Sequence, residues 1–329
     1  MHSQIQDYIN GKRLLITGAS GYLASNLAKS LKEFPCTIRR FTRKSKLVPL
    51  QGTATFEDVR GDICDSSMWG RAMDGVDTVF HFAAQTSVYV AAKNPVSDYQ
   101  VNVLPMLLML ETCKKNRRRP DIVFAGTCTE VGLPDKLPVN ETFPDRPITI
   151  YDAHKLMAEI YLKFYARLGF VRGTTLRLTN VYGPGPISSS EDRGVLNMMA
   201  RKALSGENLT QYGNGEFVRD YVYVEDVLGA FLAALANMDQ LNEKHFVLGS
   251  GKGNSIAEML NQIADQAAQK TGIRVKVDPV EPPLGLSPIE ERNFIADSKS
   301  FSDITGWQPQ YSLSKGIAQT LEAFCFEDK

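Results

Sequence analysis

The sequence predicts an α/β fold: a doubly wound parallel sheet with a smaller C-terminal region interleaved with it. Three observations lead there. In the first half of the 329-residue chain, short apolar and β-branched runs alternate with longer stretches of helical periodicity, the pattern of βαβ units. A glycine-rich turn follows the first of those runs directly. The composition, 43% hydrophobic and 22% charged, is that of an ordinary globular chain with enough apolar residues for a core, which excludes disorder, collagen and coiled coil.

Taken in order, residues 14–16 read as a buried strand and residues 22–31 as the helix after it. Residues 36–41, 55–59 and 78–82 fit the second, third and fourth strands. Residues 96–113 are helical and bend or start near Pro105, because proline lacks the N–H that a helix interior needs. Residues 122–125 make a fifth strand, 151–168 a long helix and 174–178 a sixth strand. A parallel sheet of this kind is covered on both faces. The second half is less regular. Residues 183–194 and 278–288 are rich in Gly, Pro and Ser or in Pro, and read as loops. Residues 245–248 return one more strand to the main sheet. The expected division is a dinucleotide-binding domain at 1–180, completed by about 224–250, with a smaller substrate-binding region from 181–223 and 251–329.

Whole classes of partner are disfavoured. Thirty-seven basic residues balance 37 acidic ones, so no net field draws the chain to nucleic acid or to an anionic membrane. No apolar run approaches the ~20 residues of a membrane span, and the opening MHSQIQDYINGK has no apolar core of a secretory leader. Cys36, Cys64, Cys113, Cys128 and Cys325 are scattered; their spacing fits neither a disulfide framework nor a zinc site, and no metal is expected. A reducing, cytoplasmic setting is the simplest expectation. The cationic run 114–119 follows a helix and reads as solvated charge offsetting the helix dipole.

The turn Thr17-Gly18-Ala19-Ser20-Gly21-Tyr22-Leu23-Ala24 joins a strand to a helix, which is the setting of a Rossmann-type dinucleotide site. Gly18 permits the turn, Gly21 lets the backbone approach a pyrophosphate, and Ala24 is small enough for close helix–strand packing. The helix N-terminus then offers N–H groups to phosphate. An NAD site usually has a carboxylate at the end of the second strand for the ribose 2′-OH. Here that strand ends Arg39-Arg40-Phe41-Thr42-Arg43-Lys44. Arg43, helped by Lys44, suits a 2′-phosphate, so NADP is expected in preference to NAD.

Tyr151 and Lys155 lie four apart on one predicted helix and share a face. A free phenol is too weak a base at neutral pH, but a neighbouring ammonium favours phenolate. Tyr151 then moves a hydroxyl proton while hydride moves to or from the cofactor. Thr127 ends the fifth strand, in the crevice where ligands bind, and is suited to polarise the reacting oxygen. Thr129 competes for that role. His154 falls on another helical face, and Cys128 reads as a small packed residue. The helix 151–168 carries Ala153, Leu156, Met157, Ile160 and Phe164 on one apolar face, widened by Ala158, Leu162 and Tyr165.

Together these residues resemble the extended short-chain dehydrogenase/reductase family, in its nucleotide-sugar epimerase/dehydratase branch. The likeness spans nearly the whole chain: TGASGYLA, Gly61-Asp62-Ile63, HFAA at 81–84, Asn102 in VNV, the Thr127 turn, Tyr151/Lys155, LRLTNVYGPG at 176–185, RDYVYVEDV at 219–227 and GWQP near the end. The resemblance implies that Gly18, Ser20, Gly21, Tyr22, Leu23, Arg43 and Asn102 bind the cofactor. It implies that Asp62 and Ile63 flank the adenine, and that Ala83 and Ala84 line the cofactor groove. Thr127, Tyr151 and Lys155 would form the catalytic triad, with Tyr151 and Lys155 also touching the cofactor. Thr127, Asn180, Arg219 and Arg292 would contact a nucleotide-diphosphate sugar, the two arginines clamping its phosphates. It also implies a homodimer built from paired helices.

Three departures matter. Ala24 replaces the family's usual third glycine. Glu130-Val131-Gly132 stands where Val-Tyr-Gly is usual. Members that remove water across C5 and C6 of the sugar usually place Asp-Glu directly after the catalytic Thr, where this chain has Cys128-Thr129, with Glu130 one step late. A one-residue shift of the turn makes Thr129 the catalytic hydroxyl; the ungapped alignment favours Thr127. The expectation is an NAD(P)-dependent nucleotide-sugar epimerase that oxidises a sugar hydroxyl transiently. An NADPH-dependent keto-sugar reductase is the alternative, followed by a 4,6-dehydratase and a non-catalytic dinucleotide-binding regulator.

Overall fold

The computed structural model describes residues 2–186 and 194–327. The strands in chain order are β1 (Arg13–Thr17), β2 (Thr37–Thr42), β3 (Thr55–Arg60), β4 (Thr78–His81), β5 (Asp121–Thr127), β6 (Arg172–Leu178), β7 (Asn180–Tyr182), β8 (Leu209–Tyr212), β9 (Val218–Tyr223), β10 (His245–Leu248), β11 (Gly253–Ser255) and β12 (Val277–Val280). Seven of them form the main sheet in the order β10-β6-β5-β4-β1-β2-β3, every neighbouring pair parallel. From β1 the order steps outward to β3 on one side and through β4 to β10 on the other. It reverses between β1 and β4, and in open parallel sheets ligands bind beside such a reversal, at the carboxyl ends of the strands.

The strand runs are apolar at consecutive positions because both faces are covered. Leu14 and Ile16 of β1 join one core cluster while Leu15 joins the other; Phe80 and Val79 of β4, and Val123 and Ile122 of β5, divide the same way. Successive side chains of a strand point to opposite faces, so each strand serves both layers. Helices Tyr22–Ser30 and Val224–Ala236 supply one layer, through Ala24, Leu27, Val227 and Phe231. Helices Ser66–Met73, Leu104–Asn116 and Ile150–Arg167 supply the other, through Trp69, Met109, Ala158 and Leu162.

The predicted helix 96–113 is two helices, Pro95–Asn102 and Leu104–Asn116, meeting at Val103. Each has a proline in its first turn, where a missing N–H costs nothing. In the cationic run, Lys114 pairs with Glu111 at 3.5 Å, and Arg117 ends the helix with φ 52°. The Pro-rich stretch 278–288 is not all loop: Val277–Val280 pairs in parallel with β8, and Pro288–Glu291 forms a short 3-10 turn. Of the predicted loop 183–194, residues 187–193 lie outside the described residues. Strands β11, β9 and β7 make a three-stranded sheet, and helices Val195–Leu204, Ile256–Thr271 and Leu313–Glu327 pack on one another. Among the described residues no helix is long and apolar enough to cross a membrane.

Candidate active site

Three groups of side chains gather at the carboxyl ends of the central strands. The first is the glycine turn. Gly18 has φ 65°, and a Cβ there would stand 2.8 Å from Ala83 Cα. Only glycine lets β1 and the Ala83 backbone come this close. The Gly21 N–H donates to Gly18 O at 2.7 Å. Gly21 caps helix Tyr22–Ser30 with no side-chain hydrogen bond, which leaves that N-terminus suited to an anion. Thr17 Oγ1 accepts from the N–H groups of Phe82 and Ala83, both at 3.1 Å, and lies 3.0 Å from His81 Nδ1. This brace holds Ala83 against the turn. Burial, aided by the Lys155 charge, pushes His81 down to about 3, so its ring is neutral. Tyr22 donates to Gly183 O at 2.9 Å, Thr42 Oγ1 lies 3.4 Å from Ser20 Oγ, and Leu23 packs on the core.

At the far end of the groove, Asp62 accepts from the Cys64 N–H at 2.9 Å and Ile63 O accepts from Trp69 Nε1 at 2.8 Å. The basic run divides. Arg39 pairs with Glu57 at 2.8 Å and Arg40 with Asp58 at 2.7 Å. Arg43 is 73% exposed and 3.9 Å from Asp62, and Lys44 is exposed. Asn102 holds a loop: it donates to Gln85 O at 2.9 Å and to Asp98 Oδ1 at 3.0 Å, and accepts from the Gln85 N–H at 3.1 Å. Its amide is engaged within the protein through both its donor and its acceptor atoms.

The second group centres on Thr127. The residues after it turn once as a 3-10 helix, Cys128–Val131. Glu130 reaches back so that Oε1 accepts from the Thr127 N–H at 3.1 Å, and Thr127 Oγ1 accepts from the Thr129 N–H at 3.3 Å. Thr129 Oγ1 lies 2.8 Å from Thr127 Oγ1 and donates to Asp152 Oδ1. Tyr151 is buried against Val88, Ala91 and Ile289. Lys155 is buried one turn on, its Nζ 4.0 Å from the Phe124 ring centre. Burial lowers Lys155 to about 8, opposed by Glu130, Asp98 and Glu159. His154 turns away to Asp98 Oδ2 at 2.6 Å. Cys128 packs among Val131, Val139 and Phe294, and burial pushes its thiol up to about 12.

Beneath this group lies a buried ionic cluster. Arg177 Nε is 2.9 Å from Glu130 Oε2 and donates to Glu159 Oε2 at 3.0 Å, while its Nη1 donates to Asp145 at 2.6 Å. Burial and then the Glu159 charge hold the Glu130 carboxyl well above the usual range. Burial acts the same way on Glu159, but hydrogen bonds from His245 and Arg177 outweigh it and hold that carboxyl low. The composition gave no signal for this cluster, nor for Gln85 and Asp98.

The third group is cationic. Arg219 and Arg292 are 3% and 7% exposed. Arg219 does not pair with Asp220 or Glu225: Asp220 binds Ser250, Gly251 and Ala296, and Glu225 binds Tyr311 at 2.5 Å. Instead Arg219 donates to the Arg292 and Glu290 carbonyls, and Arg292 Nη2 is 3.4 Å from Asn180 Oδ1. Glu290 is the carboxylate paired with both among the described residues, at 3.8 Å from each. Burial and the Arg292 charge lower Arg219 to about 10. Arg292 Nε is buried with no hydrogen-bond partner among the described residues. Cys128 packs with Phe294, two residues along from Arg292, so this pair stands near the Thr127 turn.

Comparison with known proteins adds the following. The NAD dependent epimerase/dehydratase family matches residues 14–249. A UDP-glucose 4-epimerase of Mycolicibacterium smegmatis is 29% identical over 318 residues, covering 95% of this chain and 98% of that protein. A putative UDP-glucose 4-epimerase of Methanocaldococcus jannaschii is 30% identical over 312 residues, covering 94% and 97%. Among solved structures, the UDP-glucose 4-epimerase of Thermotoga maritima with UDP-glucose superposes with a TM-score of 0.86 at 30% identity, covering 96% of this chain and all of that one (100%). That of Thermus thermophilus in complex with NAD gives 0.80 at 30%, covering 95% and 99%.

Proposed function

The chain belongs to the NAD dependent epimerase/dehydratase family, and from that premise we propose that it is a nucleotide-sugar 4-epimerase acting on a UDP-hexose. The relatives' substrates support the choice of UDP-sugar. The single observation that carries it furthest is the buried Arg219–Arg292 pair near the Thr127 turn, with one guanidinium N–H unpartnered among the described residues. Two desolvated guanidiniums call for an anion, and a diphosphate is the anion a nucleotide sugar brings.

In this proposal Gly18, Ser20, Gly21, Tyr22 and Leu23 receive the pyrophosphate of the dinucleotide. Asp62 and Ile63 flank its adenine, and Ala83 and Ala84 line the way between. The close approach of Gly18 to Ala83 and the open helix end at Gly21 fit such a group. A nicotinamide held there would supply reversible hydride exchange with the sugar carbon, which inverts that centre when the hydride returns to the opposite face. Tyr151 takes the proton of the reacting hydroxyl and later returns it. Lys155 holds positive charge beside the phenol and reaches the ribose. Thr127 donates a hydrogen bond to the reacting oxygen, while Asn180, Arg219 and Arg292 hold the diphosphate. Glu130 is engaged by Arg177 and the Thr127 N–H, which removes the best placed acid for a 4,6-dehydratase. At the ribose 2′ position Arg43 and Lys44 are the available cations, so the proposal extends to NADP as well as NAD. A homodimer in a cytoplasmic setting completes it, as does the division of the chain into a dinucleotide part and a smaller sugar-nucleotide part.

The test combines two assays. Mass spectrometry of the nucleotide released on denaturation is expected to give one oxidised dinucleotide per chain, and its 2′ group decides the role of Arg43. Incubation with UDP-glucose is expected to yield UDP-galactose. The Tyr151→Phe variant should keep its nucleotide and lose about 100- to 10,000-fold in interconversion. An empty protein that consumes NADPH with a keto-sugar would be a reductase instead.

A further inference from the structure

We propose that Thr129 and Asp152 are positioning residues, a hydroxyl–carboxylate strut that fixes Thr127 relative to Tyr151. The proposal deepens the epimerase reading of the site and rests on it. Thr127 ends β5, whereas Tyr151 opens helix Ile150–Arg167 after a long connection. Two groups that must grip one sugar oxygen therefore come from different elements, and something has to set their separation.

The strut does so through side chains shut off from water. Thr129 is 7% exposed and Asp152 0%. Thr129 Oγ1 donates to Asp152 Oδ1 and lies 2.8 Å from Thr127 Oγ1. Asp152 is held from the other side, where Thr149 Oγ1 donates to Oδ2 at 2.7 Å and the Asp152 N–H donates to Thr149 Oγ1 at 3.1 Å. Asp152 follows Tyr151 directly in the chain. A rigid path thus runs from the Thr127 hydroxyl through Thr129 to the backbone that carries the Tyr151 phenol. Inside a protein such a chain of hydrogen bonds meets no competition from solvent.

Proton counting gives the strut a direction. An ionised carboxylate only accepts, and a threonine hydroxyl has one proton. The Thr129 hydroxyl proton is directed at Asp152 Oδ1, so Thr127 is the donor in the Thr127–Thr129 contact. Thr127 Oγ1 already accepts from the Thr129 N–H. Its own proton is therefore the one left to exchange, given to Thr129 when the crevice is empty and to the sugar oxygen when it is filled. Thr129, buried and with its proton committed, is not the hydroxyl that meets substrate; its place is behind Thr127.

The decisive variant is Thr129→Val, which keeps shape and leaves the Thr149–Asp152 cap intact, with Thr129→Ser as the rescue. The expected result for Thr129→Val is kcat for UDP-glucose interconversion lowered about 10- to 100-fold, the scale of a small misplacement of reacting groups. KM and bound nucleotide should stay near wild type, Tm should fall because the buried Asp152 carboxylate loses one donor, and Thr129→Ser should restore kcat. A purely structural threonine would instead lower Tm with kcat unchanged, or move KM and kcat together. Either that pattern, or an unchanged kcat in Thr129→Val, overturns the proposal. A second measurement needs no substrate: a buried hydroxyl bonded to a carboxylate gives a slowly exchanging proton resonance. That resonance is expected in wild type and Thr129→Ser and absent in Thr129→Val; its absence from wild type removes the strut. If wild type fails to interconvert UDP-glucose and UDP-galactose, the epimerase reading fails, while the proton resonance still decides the strut.

Discussion

His81 and Lys155 lie close together under the crevice, and burial disfavours the charged form of each. The consequence for His81 is a stability term with a definite sign. An unfolded histidine titrates near 6.5, whereas this one is pushed down to about 3. Between those values the unfolded chain binds the extra proton, so the contribution is complete above 6.5 and is lost as pH falls toward about 3. Replacing His81 by Gln, which keeps a polar atom for Thr17, should flatten the fall of Tm between pH 6.5 and 4. Parallel Tm curves for the two proteins would assign the acid sensitivity elsewhere. At this scale Tyr151, Lys155 and Thr127 are legible in the sequence as members of the candidate site, because the proposed chemistry needs particular residue types at particular spacings. Asp152 is not, since an acid after a tyrosine in a helix's first turn reads as an ordinary dipole partner until Thr129 is found against it.

The elements around the site are joined by Arg177 of β6, which reaches Glu130 after β5, Glu159 of helix Ile150–Arg167 and Asp145 of the connecting loop. Removing one partner of a buried ionic group leaves the others charged and unsatisfied. The Arg177→Met variant is therefore expected to lose about 3–5 kcal/mol in urea unfolding, the usual cost of breaking such a pair. A loss below ~1 kcal/mol, typical of exposed pairs, would show that the cluster does not bind these elements together. The main-sheet elements were readable because strands covered on both faces leave unbroken apolar runs. The helix start beside Pro105 was readable too, as a bend or a start, whereas the short strand Val277–Val280 was not, since Pro279 is read locally as part of a loop. Pro279 is accommodated because its sheet has only two strands, where one unmade N–H bond faces no further neighbour.

Over the whole molecule, helix Ile150–Arg167 divides its apolar residues between two tasks. Ala158, Leu162 and Tyr165 lie in the core, whereas Met157, Ile160 and Phe164 are 38%, 56% and 54% exposed. A large apolar stripe left open on a globular chain marks an interaction face, and a second copy is the occupant that the proposed homodimer supplies. Ile160→Glu combined with Phe164→Glu should convert a dimer to a monomer in sedimentation velocity while leaving the far-UV spectrum intact. A wild-type chain that sediments as a monomer at micromolar concentration would remove the dimer. The sequence shows both apolar faces of this helix, but not which one the sheet covers, because core and interface stripes have the same composition.

The position of β10 at the edge of the main sheet, beside β6, also bears on biosynthesis. Six of the seven strands have left the ribosome once residue 178 has emerged, but the last, β10, begins only at residue 245. For that interval the nascent chain carries an open edge of unpaired N–H and C=O groups along β6, a surface on which a neighbouring chain on the same polysome can add a strand.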